Sequence, residues 1–322
     1  MARRICVAVV TRNRPQMLRE LFNSFEAMLC PKDEDISFLI IENSGSKTLD
    51  LSVQGFRKIL APNEIYYFNE SRIGISAARN YALIHAIEQG YDLLVYADDD
   101  ERVEKDWLIK LLECRDKFDL DLVGSPVRPT PYRDNLTFMQ RIVWSGLQSG
   151  SQRSERKCQS KCKYGRQNEI KIATGSWMGK LDFFRQTGLI FDQQLGLTGG
   201  EDWNLWAKAR GLGAKTGWAC DAIVYETVPA PRLTLNYHFR RNRDHNITEF
   251  SKQYHEDSSK ALKKLPLKIL GRALKFVGSV FALPFTGTRG LVSLASALGG
   301  LIGILQGCLG FRSFHYERTT GT

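Results

Sequence analysis

The sequence predicts an α/β protein with a mostly parallel central sheet flanked by helices. Two observations support this fold class. Within residues 1–125, short apolar runs alternate with longer amphipathic stretches, as they do in successive βαβ units. One apolar run, residues 93–97, ends abruptly in four acidic residues. Open α/β sheets bind ligands at the carboxyl ends of their strands, so a polar site is expected there.

The elements of this half follow from the spacing of its apolar residues. Pro15 favours a helix start, because its missing N–H would have no intrahelical partner in a first turn, and Gly90 suits a helix end. The predicted strands are residues 5–10, 38–41, 65–68, 93–97 and 122–124. The predicted helices are residues 15–28, 76–88 and 105–118.

Beyond residue 135 the pattern of apolar residues loosens. Residues 149–167 are rich in Ser, Gln, Arg and Lys, which predicts a mobile, solvated loop and a candidate lid. A second ordered block spans residues 170–227. The elements predicted in this block are a strand at 176–180, a helix from about Gly200 and a strand near 222–227. A basic helix is expected after the block, at 233–254.

Residues 266–311 are rich in Leu, Gly, Ala, Val and Phe, and residues 290–311 carry no charge. An uncharged run of this length could span a bilayer. Its glycines and serines lower its hydrophobicity, and basic residues upstream suit anionic head groups, so an interfacial or re-entrant segment is the favoured interpretation. A pair of core helices is the alternative. The upstream cations are Lys268, Arg272 and Lys275.

The chain has a formal net charge of +10 and seven cysteines. The charge favours an anionic partner such as a nucleotide, a lipid head group or a nucleic acid. The cysteines, with no export signal at the N-terminus, predict a reducing, cytoplasmic environment. Cys158 and Cys162 would need two further ligands to hold zinc, and the neighbouring sequence does not offer them.

The strongest chemical signal is the acidic run Asp98, Asp99, Asp100 and Glu101. Adjacent carboxylates repel one another, and a divalent cation would relieve that repulsion. Mg²⁺ or Mn²⁺ held by one or two of these groups would keep coordination positions open for a diphosphate. The alternative is an exposed acidic turn that caps the helix beginning near Lys105.

Two further segments could carry chemistry. Glu201 and Asp202 follow a glycine turn, where they could be ordinary first-turn helix residues or, for Asp202, a general base. Gly74 permits close approach of the backbone to a ligand, and Arg79 and Asn80 could reach phosphate or ribose oxygens. The spacing around Gly74 matches neither a P-loop nor a dinucleotide fingerprint.

Six segments occur in a fixed order between residues 4 and 250. They are V-A-V-V-T-R-N-R-P, I-I-E-N-S, G-I-S-A-A-R-N, A-D-D-D-E, G-G-E-D-W and Y-H-F-R-R-N-R-D-H-N. In this order they resemble bacterial glycosyltransferase family 2, of the GT-A fold, and in particular enzymes that build exopolysaccharides such as succinoglycan. The resemblance implies a GT-A domain over residues 1–255. Its halves would be a nucleotide-binding part, 1–125, and an acceptor and catalytic-base part, 126–255, followed by a membrane-associating helical region, 256–322.

The resemblance also implies roles for single residues. Asp202, beside Glu201, matches the family's catalytic base. Asp98 and Asp100 match the D-x-D motif that brackets the metal and the donor, with Asp100 as a direct ligand. Glu42 stands where the family more often has Asp. The expected donor-binding residues are Thr11, Arg14, Glu42, Gly74, Arg79, Asn80, Asp98, Asp99, Arg241, Arg243 and His245.

The basic residues Arg241, Arg243 and His245 have two interpretations. They could stabilise a departing diphosphate, or they could form a solvated basic helix face. They stand where processive family members carry a Q-x-x-R-W element, which this sequence lacks. A processive synthase is therefore disfavoured, and transfer of a single sugar is expected.

The predicted function is inverting, metal-dependent sugar transfer from a nucleotide-diphosphate donor to a glycan or lipid-linked acceptor, with Mn²⁺ or Mg²⁺ as cofactor. Peripheral contact with the inner face of the cell membrane is expected through residues 266–311. No nucleic-acid partner is expected, because aromatic residues do not interleave with the basic runs. The alternatives are a nucleotidyltransferase, although the usual Gly-rich, Lys-bearing loop is absent from the sequence, and a non-catalytic membrane-docking or nucleic-acid-binding protein.

Overall fold

The structure is a computed structural model and describes residues 2–196 and 199–311. Within these residues, the strands of the central sheet are β1 (Arg4–Thr11), β2 (Asp35–Glu42), β3 (Glu64–Asn69), β4 (Leu93–Asp98), β6 (Leu122–Gly124), β8 (Ser176–Lys180) and β9 (Thr216–Trp218). Their order is β3-β2-β1-β4-β8-β6-β9. The first four of these run parallel, and β8 lies antiparallel to both of its neighbours. The predicted mostly parallel sheet is thus confirmed.

A smaller sheet begins directly after the turn that follows β4. Its strands are β5 (Glu101–Val103), β7 (Val127–Pro131) and β10 (Val224–Val228), in the order β5-β10-β7. β10 runs antiparallel to β5 and parallel to β7. This sheet therefore connects the acidic turn to the second half of the chain.

Helices cover both faces of the central sheet. One layer consists of α1 (Pro15–Glu26), α2 (Asp50–Ile59) and α4 (Trp107–Phe118). The other consists of α3 (Ile75–Glu88), α6 (Leu181–Thr187) and α7 (Glu201–Gly211). Along β1, Ile5, Val7 and Val9 pack against the first layer, whereas Cys6 and Ala8 pack against the second. Because both faces are buried, the strands read as continuous apolar runs.

The strands predicted in the first half are confirmed as β1, β2, β3, β4 and β6, and the helices as α1, α3 and α4, with small shifts at their ends. The strand predicted near residues 222–227 is confirmed as β10, in the smaller sheet. Sequence reasoning missed α2, α6, β5, β7 and β9. In α2 the buried side chains are those of Val53 and Phe56, and Gly55 between them lowers the helix propensity of this short segment.

The prediction of a mobile loop and lid at residues 149–167 is wrong for most of that range. Residues Phe138–Lys163 form α5, a helix of 26 residues. A capping box opens it, since the Thr137 hydroxyl accepts from the N–H of Gln140 and the Gln140 side chain accepts from the N–H of Thr137. Val143 is buried while most other side chains of α5 are at least partly exposed, so the polar composition belongs to a solvated helix surface.

The predicted basic helix is confirmed as α8 (Leu235–Glu256), and two apolar helices follow it: α9 (Ser258–Thr286) and α10 (Thr288–Cys308). α10 packs closely along α8. Gly299 and Gly303 face the backbone of Phe239 and Arg243, and a methyl group at either glycine would overlap it. Small residues four apart let two helices approach in this way.

Residues Ser258–Thr286 and Gly290–Cys308 are long and apolar enough to cross a membrane. The most apolar stretch of α9 is 0% buried in the protein, and that of α10 is 33% buried. Membrane contact through residues 266–311 stays a prediction, and α9 is the more exposed of the two helices.

Candidate active site

The carboxyl ends of the parallel strands bring predicted site residues to one edge of the sheet. Thr11 of β1 pairs with Glu42 of β2, and Glu42 pairs with Asn69 of β3. Asp98, the last residue of β4, pairs with Val10 of β1. The ends of four neighbouring strands therefore face the same space.

The chain turns immediately after Asp98 and buries the next three acids. Asp99, Asp100 and Glu101 are 4%, 7% and 2% exposed, whereas the side chain of Asp98 is 37% exposed. The N–H of Asp98 donates to Glu101 Oε2 at 2.9 Å, and the carbonyl oxygen of Asp100 accepts from the N–H of Thr227 at 2.7 Å. The alternative of an exposed acidic turn is therefore wrong for the three acids after Asp98.

Two of these acids belong to a group of mostly buried polar and charged side chains, here termed the Arg14 cluster. Its members are Thr11, Arg14, Asp99, Asp100, Glu226 and Arg232. Arg14 Nη1 donates to Asp99 Oδ1 at 2.8 Å and to Asp100 Oδ2 at 3.2 Å. Thr11 Oγ1 donates to Asp99 Oδ2 at 2.7 Å, and Arg232 Nη2 lies 3.6 Å from Asp100 Oδ2. The predicted donor-binding residues Thr11, Arg14 and Asp99 thus contact one another.

Charge in the Arg14 cluster is incompletely balanced. Burial, together with the charges of Glu226 and Asp99, raises the pKa of Asp100 to about 8 in spite of the nearby guanidiniums. Burial also raises the pKa of Asp99. Two guanidiniums face three carboxylates, of which Asp99 and Asp100 are almost fully buried, so one further positive charge would stabilise the ionised acids.

A second group, the Arg79 cluster, lies around the end of β4 on the side of α3. It consists of Arg79, Asp98, Glu201 and Asp202. Arg79, only 3% exposed, donates through Nη2 to Asp98 Oδ1 at 2.8 Å and through Nη1 to Glu201 Oε1. The hydroxyl of Tyr96 donates to the carbonyl oxygen of Arg79 at 2.6 Å. One buried guanidinium therefore ties the end of β4 to the first residue of α7.

The Arg79 cluster also carries excess negative charge. Burial raises the pKa of Glu201 and of Asp202, although the charge of Arg79 acts in the opposite direction. Burial disfavours the charge on Arg79 itself, but Asp98, Glu201 and Asp202 outweigh it and hold its pKa above the ordinary value. Glu201 Oε2 is buried and accepts no hydrogen bond from the part of the chain that the structure describes. A buried carboxylate oxygen without a hydrogen-bond partner favours a bound cation or a ligand group that donates a hydrogen bond.

Asp202 lies half-buried in the first turn of α7, where it accepts the N–H of Trp203 at 2.7 Å. The charge of Asp98 contributes to the raised pKa of Asp202, so the two carboxyl groups lie within electrostatic reach. The ring of Trp203 is 50% exposed, and the Lys171 ammonium lies 4.9 Å from its centroid. The predicted base therefore occupies the same edge of the sheet as the acidic run, beside an open aromatic surface.

Gly74 makes a close approach, and its neighbour is protein backbone. Its φ is 144°, a conformation that side chains with a Cβ rarely adopt. A Cβ at Gly74 would lie 3.5 Å from Gly196 Cα, and the N–H of Ile75 donates to the Gly196 carbonyl oxygen at 3.1 Å. This contact holds the start of α3 against the segment that leads to Glu201, and a ligand contact at Gly74 stays a prediction.

The surroundings of Asn80 do not support the predicted contact of its side chain with a ligand. Its side chain is 2% exposed and forms two hydrogen bonds of 2.8 Å with the backbone of Phe191, one as donor and one as acceptor. Since this short amide is engaged by the protein, a contact with phosphate or ribose oxygens is not supported. Asn43, which sequence reasoning missed, has a similar role: it accepts from the N–H of Gly74 at 2.8 Å and donates to the Glu70 carbonyl oxygen at 2.9 Å.

Glu42 is 1% exposed and fully engaged by its neighbours. The N–H of Thr48 donates to it at 2.9 Å, and the hydroxyls of Thr48 and Tyr67 donate as well. Burial alone would raise the pKa of Glu42, but these donors lower it overall. Glu42 therefore anchors the segment after β2, and contact with a nucleoside stays a prediction.

The basic residues predicted to bind the donor from α8 lie at the protein surface or pair locally. Arg241 and His245 are exposed, and Arg243 pairs with Asp244 at 2.8 Å. The solvated-face alternative fits Arg241 and His245. The cation that reaches the acids from this region is Arg232, just before α8. Sequence reasoning missed it, and the available signal was its place as the first cation after β10.

The carboxylates of the two clusters fit a divalent ion whose remaining ligands are waters and phosphates. Among residues 2–196 and 199–311, no three His, Cys, Asp or Glu side chains are grouped closely enough to hold a metal by themselves. Mg²⁺ commonly needs fewer, because waters and substrate phosphates complete its shell. Asp98 offers a partly exposed carboxylate, and the raised pKa of Asp100 marks uncompensated negative charge nearby. Oxygen donors and surplus charge suit such an ion together with a diphosphate.

The cysteines considered for zinc lie on α5. Cys162 Sγ is 3.9 Å from the carbonyl oxygen of Trp218. Burial raises the pKa of both Cys158 and Cys162, which disfavours the thiolate that zinc requires.

Comparison with known proteins identifies the family. Residues 6–184 match the sequence profile described as glycosyl transferase family 2. The chain belongs to glycosyl transferase family 2. The predicted family and enzyme class are thus confirmed, and the nucleotidyltransferase and non-enzymatic alternatives are set aside. The succinoglycan biosynthesis protein ExoM of Rhizobium meliloti (strain 1021) is 29% identical to this glycosyltransferase over 242 residues, which are 74% of this chain and 71% of ExoM.

Solved structures with low sequence identity share the fold. The mannosyltransferase PcManGT from Pyrobaculum calidifontis, in complex with GDP-Man and Mn²⁺, aligns with a TM-score of 0.59 at 17% identity and covers 94% of this chain and 88% of its own. S. aureus TarS 1-349, in complex with UDP-GlcNAc, gives 0.51 at 14% identity over 92% and 90%. GalNAc-T7, with UDP, GalNAc and Mn²⁺, gives 0.51 at 16% identity over 76% and 48%. The predicted GT-A fold of this glycosyltransferase is confirmed.

Proposed function

We propose that this glycosyltransferase moves one sugar, with inversion at the anomeric carbon, from a nucleotide-diphosphate sugar to a hydroxyl of a glycan or lipid-linked acceptor. The proposal rests chiefly on the Arg79 cluster, where Asp202 lies within electrostatic reach of the partly exposed Asp98. The complexes of PcManGT with GDP-Man and of TarS with UDP-GlcNAc support a nucleotide-sugar donor. The likeness to ExoM supports a role in polysaccharide or glycolipid biosynthesis.

Asp98 and Asp100 are the proposed ligands for Mn²⁺ or Mg²⁺. When bound, the ion would supply positive charge against the leaving diphosphate. Asp98 is reachable from solvent, whereas Asp100 is enclosed by Arg14 at 3.2 Å and Arg232 at 3.6 Å. Both guanidiniums contact Asp100 Oδ2, so a metal contact from Asp100 would share this carboxylate with them. The Mn²⁺ in the PcManGT complex supports metal use.

Asp202 is the proposed base. Burial raises the pKa of Asp202, which makes its carboxylate a stronger proton acceptor than an exposed Asp, and the charge of Arg79 acts in the opposite direction. The acceptor hydroxyl gives its proton to Asp202, and its oxygen forms the new bond at the anomeric carbon. The bond from that carbon to the diphosphate oxygen breaks, and the electron pair leaves with the nucleotide diphosphate. A single displacement of this kind inverts the anomeric centre.

Asp202→Asn tests this assignment directly. The amide cannot take the proton, so we expect turnover to fall by about 10²–10⁴-fold while affinity for the donor nucleotide stays close to that of the wild type. Turnover is measured as release of nucleotide diphosphate with Mn²⁺ present, and affinity by calorimetry. Asp182→Asn is the matched control, since Asp182 lies in the first turn of α6 and outside both clusters. Wild-type turnover in the Asp202 variant would refute the role.

We also propose peripheral contact with the inner, cytoplasmic face of the cell membrane, where a lipid-linked acceptor would be presented. The contact is assigned to α9, because its apolar side chains are exposed while α10 packs on α8. Transfer of one sugar per encounter, without processive extension, rests on the sequence, which lacks the Q-x-x-R-W element.

A further inference from the structure

We propose that α9 lies flat on an anionic membrane and that a groove between α8, α9 and α10 holds the phosphate of a lipid head group. This inference deepens the membrane contact in the proposed function and rests on it. The groove, here termed the basic groove, has a volume of about 290 Å³. Its polar lining includes Asn246 and Glu249 of α8 and Lys268, Arg272 and Lys275 of α9.

An apolar stripe runs along the solvent side of α9. It consists of Leu267, Leu270, Leu274, Val277, Phe281 and Phe285. These side chains are between 45% and 90% exposed. They recur every three or four residues, so they share one side of the helix over roughly 27 Å. A continuous exposed apolar surface of this size marks an interaction site.

The charge of α9 favours an anionic surface as the occupant. Residues 258–286 contain six Lys and Arg residues and no Asp or Glu. Two copies of the chain that paired through the stripe would add the six cations of one α9 to those of the other, with no acid on either α9 to compensate them. Each cation near an anionic leaflet instead contributes about 1 kcal/mol to binding. The pattern is that of an interfacial helix with apolar residues on one side and cations beside them.

The basic groove is shaped by packing among the three helices. A Cβ at Gly300 of α10 would lie 3.4 Å from Asn246 Nδ2 of α8 and 3.8 Å from Arg272 Cδ of α9, so side chains of both other helices lie beside Gly300. Arg272 Nη2 is 3.6 Å from Glu249 Oε2, and Lys268 Nζ donates to Gln253. Three cations of α9 thus face one carboxylate in the groove lining. The volume lies near the lower end for small-ligand pockets, which suits a head group.

The stripe and the cations of the basic groove lie on different sides of α9. Lys268 follows Leu267 directly, so the two side chains point about 100° apart around the helix, and Lys268 lies roughly 130° from the middle of the stripe. Arg272 and Lys275, four and seven residues on, point to the same side as Lys268. When the stripe enters the acyl region, these long basic side chains can extend toward the head groups. The inference therefore places the phosphate of a lipid beside α9 against these cations.

Co-sedimentation of the full chain with vesicles tests the inference. The vesicles contain phosphatidylcholine alone or phosphatidylcholine with phosphatidylglycerol. The groove variant is Lys268→Gln/Arg272→Gln/Lys275→Gln. Its matched control, Lys260→Gln/Lys263→Gln/Lys264→Gln, removes the same charge from the exposed start of α9. We expect the wild type to prefer the anionic vesicles by more than about tenfold, and the groove variant to lose about tenfold more affinity than the control.

Several outcomes would overturn the inference. Equal losses in the two variants would mean that charge alone matters and that the groove holds no head group. Equal binding of the wild type to both vesicles, or to neither, would remove the anionic membrane as the occupant. Dimers in ultracentrifugation that dissociate in Leu270→Ser/Leu274→Ser would assign the stripe to a second copy. Stabilisation of the wild type, but not of the groove variant, by inorganic phosphate without vesicle binding would assign the groove to free phosphate.

The test also separates this inference from the proposal of sugar transfer. Release of nucleotide diphosphate from the donor, measured without vesicles, should be the same in the groove variant and the wild type, because the groove residues belong to neither cluster at the strand ends. A groove variant that lost this activity would show that the groove serves the reaction, contrary to the inference. A wild type without donor turnover would instead count against sugar transfer.

Discussion

The Arg14 cluster and the Arg79 cluster lie at the end of the same strand, yet they differ in balance and in access. In the Arg14 cluster two guanidiniums face three carboxylates, and Asp99 and Asp100 are almost fully buried. In the Arg79 cluster one guanidinium serves three carboxyl groups, and Asp98 is open to solvent. This difference indicates that an incoming cation or nucleotide-sugar donor contacts Asp98 first. Asp99 and Asp100 of the Arg14 cluster are covered more closely, by Arg14 and Arg232.

The largest effect should come from removing the single cation of the Arg79 cluster. Arg79→Met leaves the buried Glu201 without its partner, and we expect a loss of about 3–5 kcal/mol in the free energy of unfolding. Urea denaturation measures it. Arg79→Lys keeps the charge but loses the forked contact to Asp98 and Glu201, so its loss should be smaller. A loss below about 1 kcal/mol for Arg79→Met would mean that these acids are protonated or hydrated without it.

Removing one of the two cations of the Arg14 cluster should lower the free energy of unfolding by less than Arg79→Met does. In Arg14→Met, Arg232 still faces Asp100, so the acids of this cluster keep one of their two guanidiniums. We expect a loss of about 1–3 kcal/mol by the same measurement. If Arg14→Met proved more damaging than Arg79→Met, the comparison between the clusters would be reversed.

The pH dependence of stability should reveal the buried acid of the Arg14 cluster. The pKa of Asp100 is about 8 in the folded protein, above its ordinary range, because of burial and of the charges on Glu226 and Asp99. The unfolded chain therefore releases this proton first, and ionisation of Asp100 increasingly disfavours folding as pH rises from about 4 toward 8.

Asp100→Asn removes that ionisation. Its free energy of unfolding, relative to the wild type, should be about 1 kcal/mol or more higher at pH 8.5 than at pH 5. Asp50→Asn, exposed on α2, is the control and should follow the wild type at both values. A difference between Asp100→Asn and the wild type that is constant with pH would show that Asp100 is ionised throughout this range.

The smallest effect concerns the contact that supports the Arg79 cluster. Gly74→Ala forces a Cβ into a conformation with φ of 144°, so we expect a loss of about 1–2 kcal/mol in the free energy of unfolding. Because Gly74 backs the segment before Glu201, donor affinity should also fall. Gly55→Ala is the control, since a Cβ there has free space and Gly55 lies within α2. Equal behaviour of the two variants would contradict a special role for Gly74.

The sequence was sufficient for the sheet and for part of the site because both depend on local patterns. Buried parallel strands are continuous apolar runs, and the acids after β4 follow such a run directly. Arg232 could not be found in this way, since it meets Asp100 through the fold of a chain segment more than 100 residues away. The lid prediction failed because a solvated helix surface and a loop share a polar composition.

Asn80 and Glu42 illustrate a further limit. Both are polar residues beside the strand ends, where ligand contact is a reasonable expectation. Their hydrogen bonds hold Phe191 and Thr48, and only the folded positions of those partners reveal it. Residue type therefore predicted that polar groups would gather at this edge, while the structure shows which of them are hydrogen-bonded to neighbouring segments of the chain.

The position of β8 in the sheet affects the order in which the strands can pair during synthesis. β6, at residues 122–124, pairs with β8 and β9, and both of these come later in the sequence. As the protein leaves the ribosome, the first four parallel strands can associate early, but β6 must wait for residues 176–180 to emerge. A product truncated between the two halves would leave the edge of β4 uncovered and open to pairing with other chains.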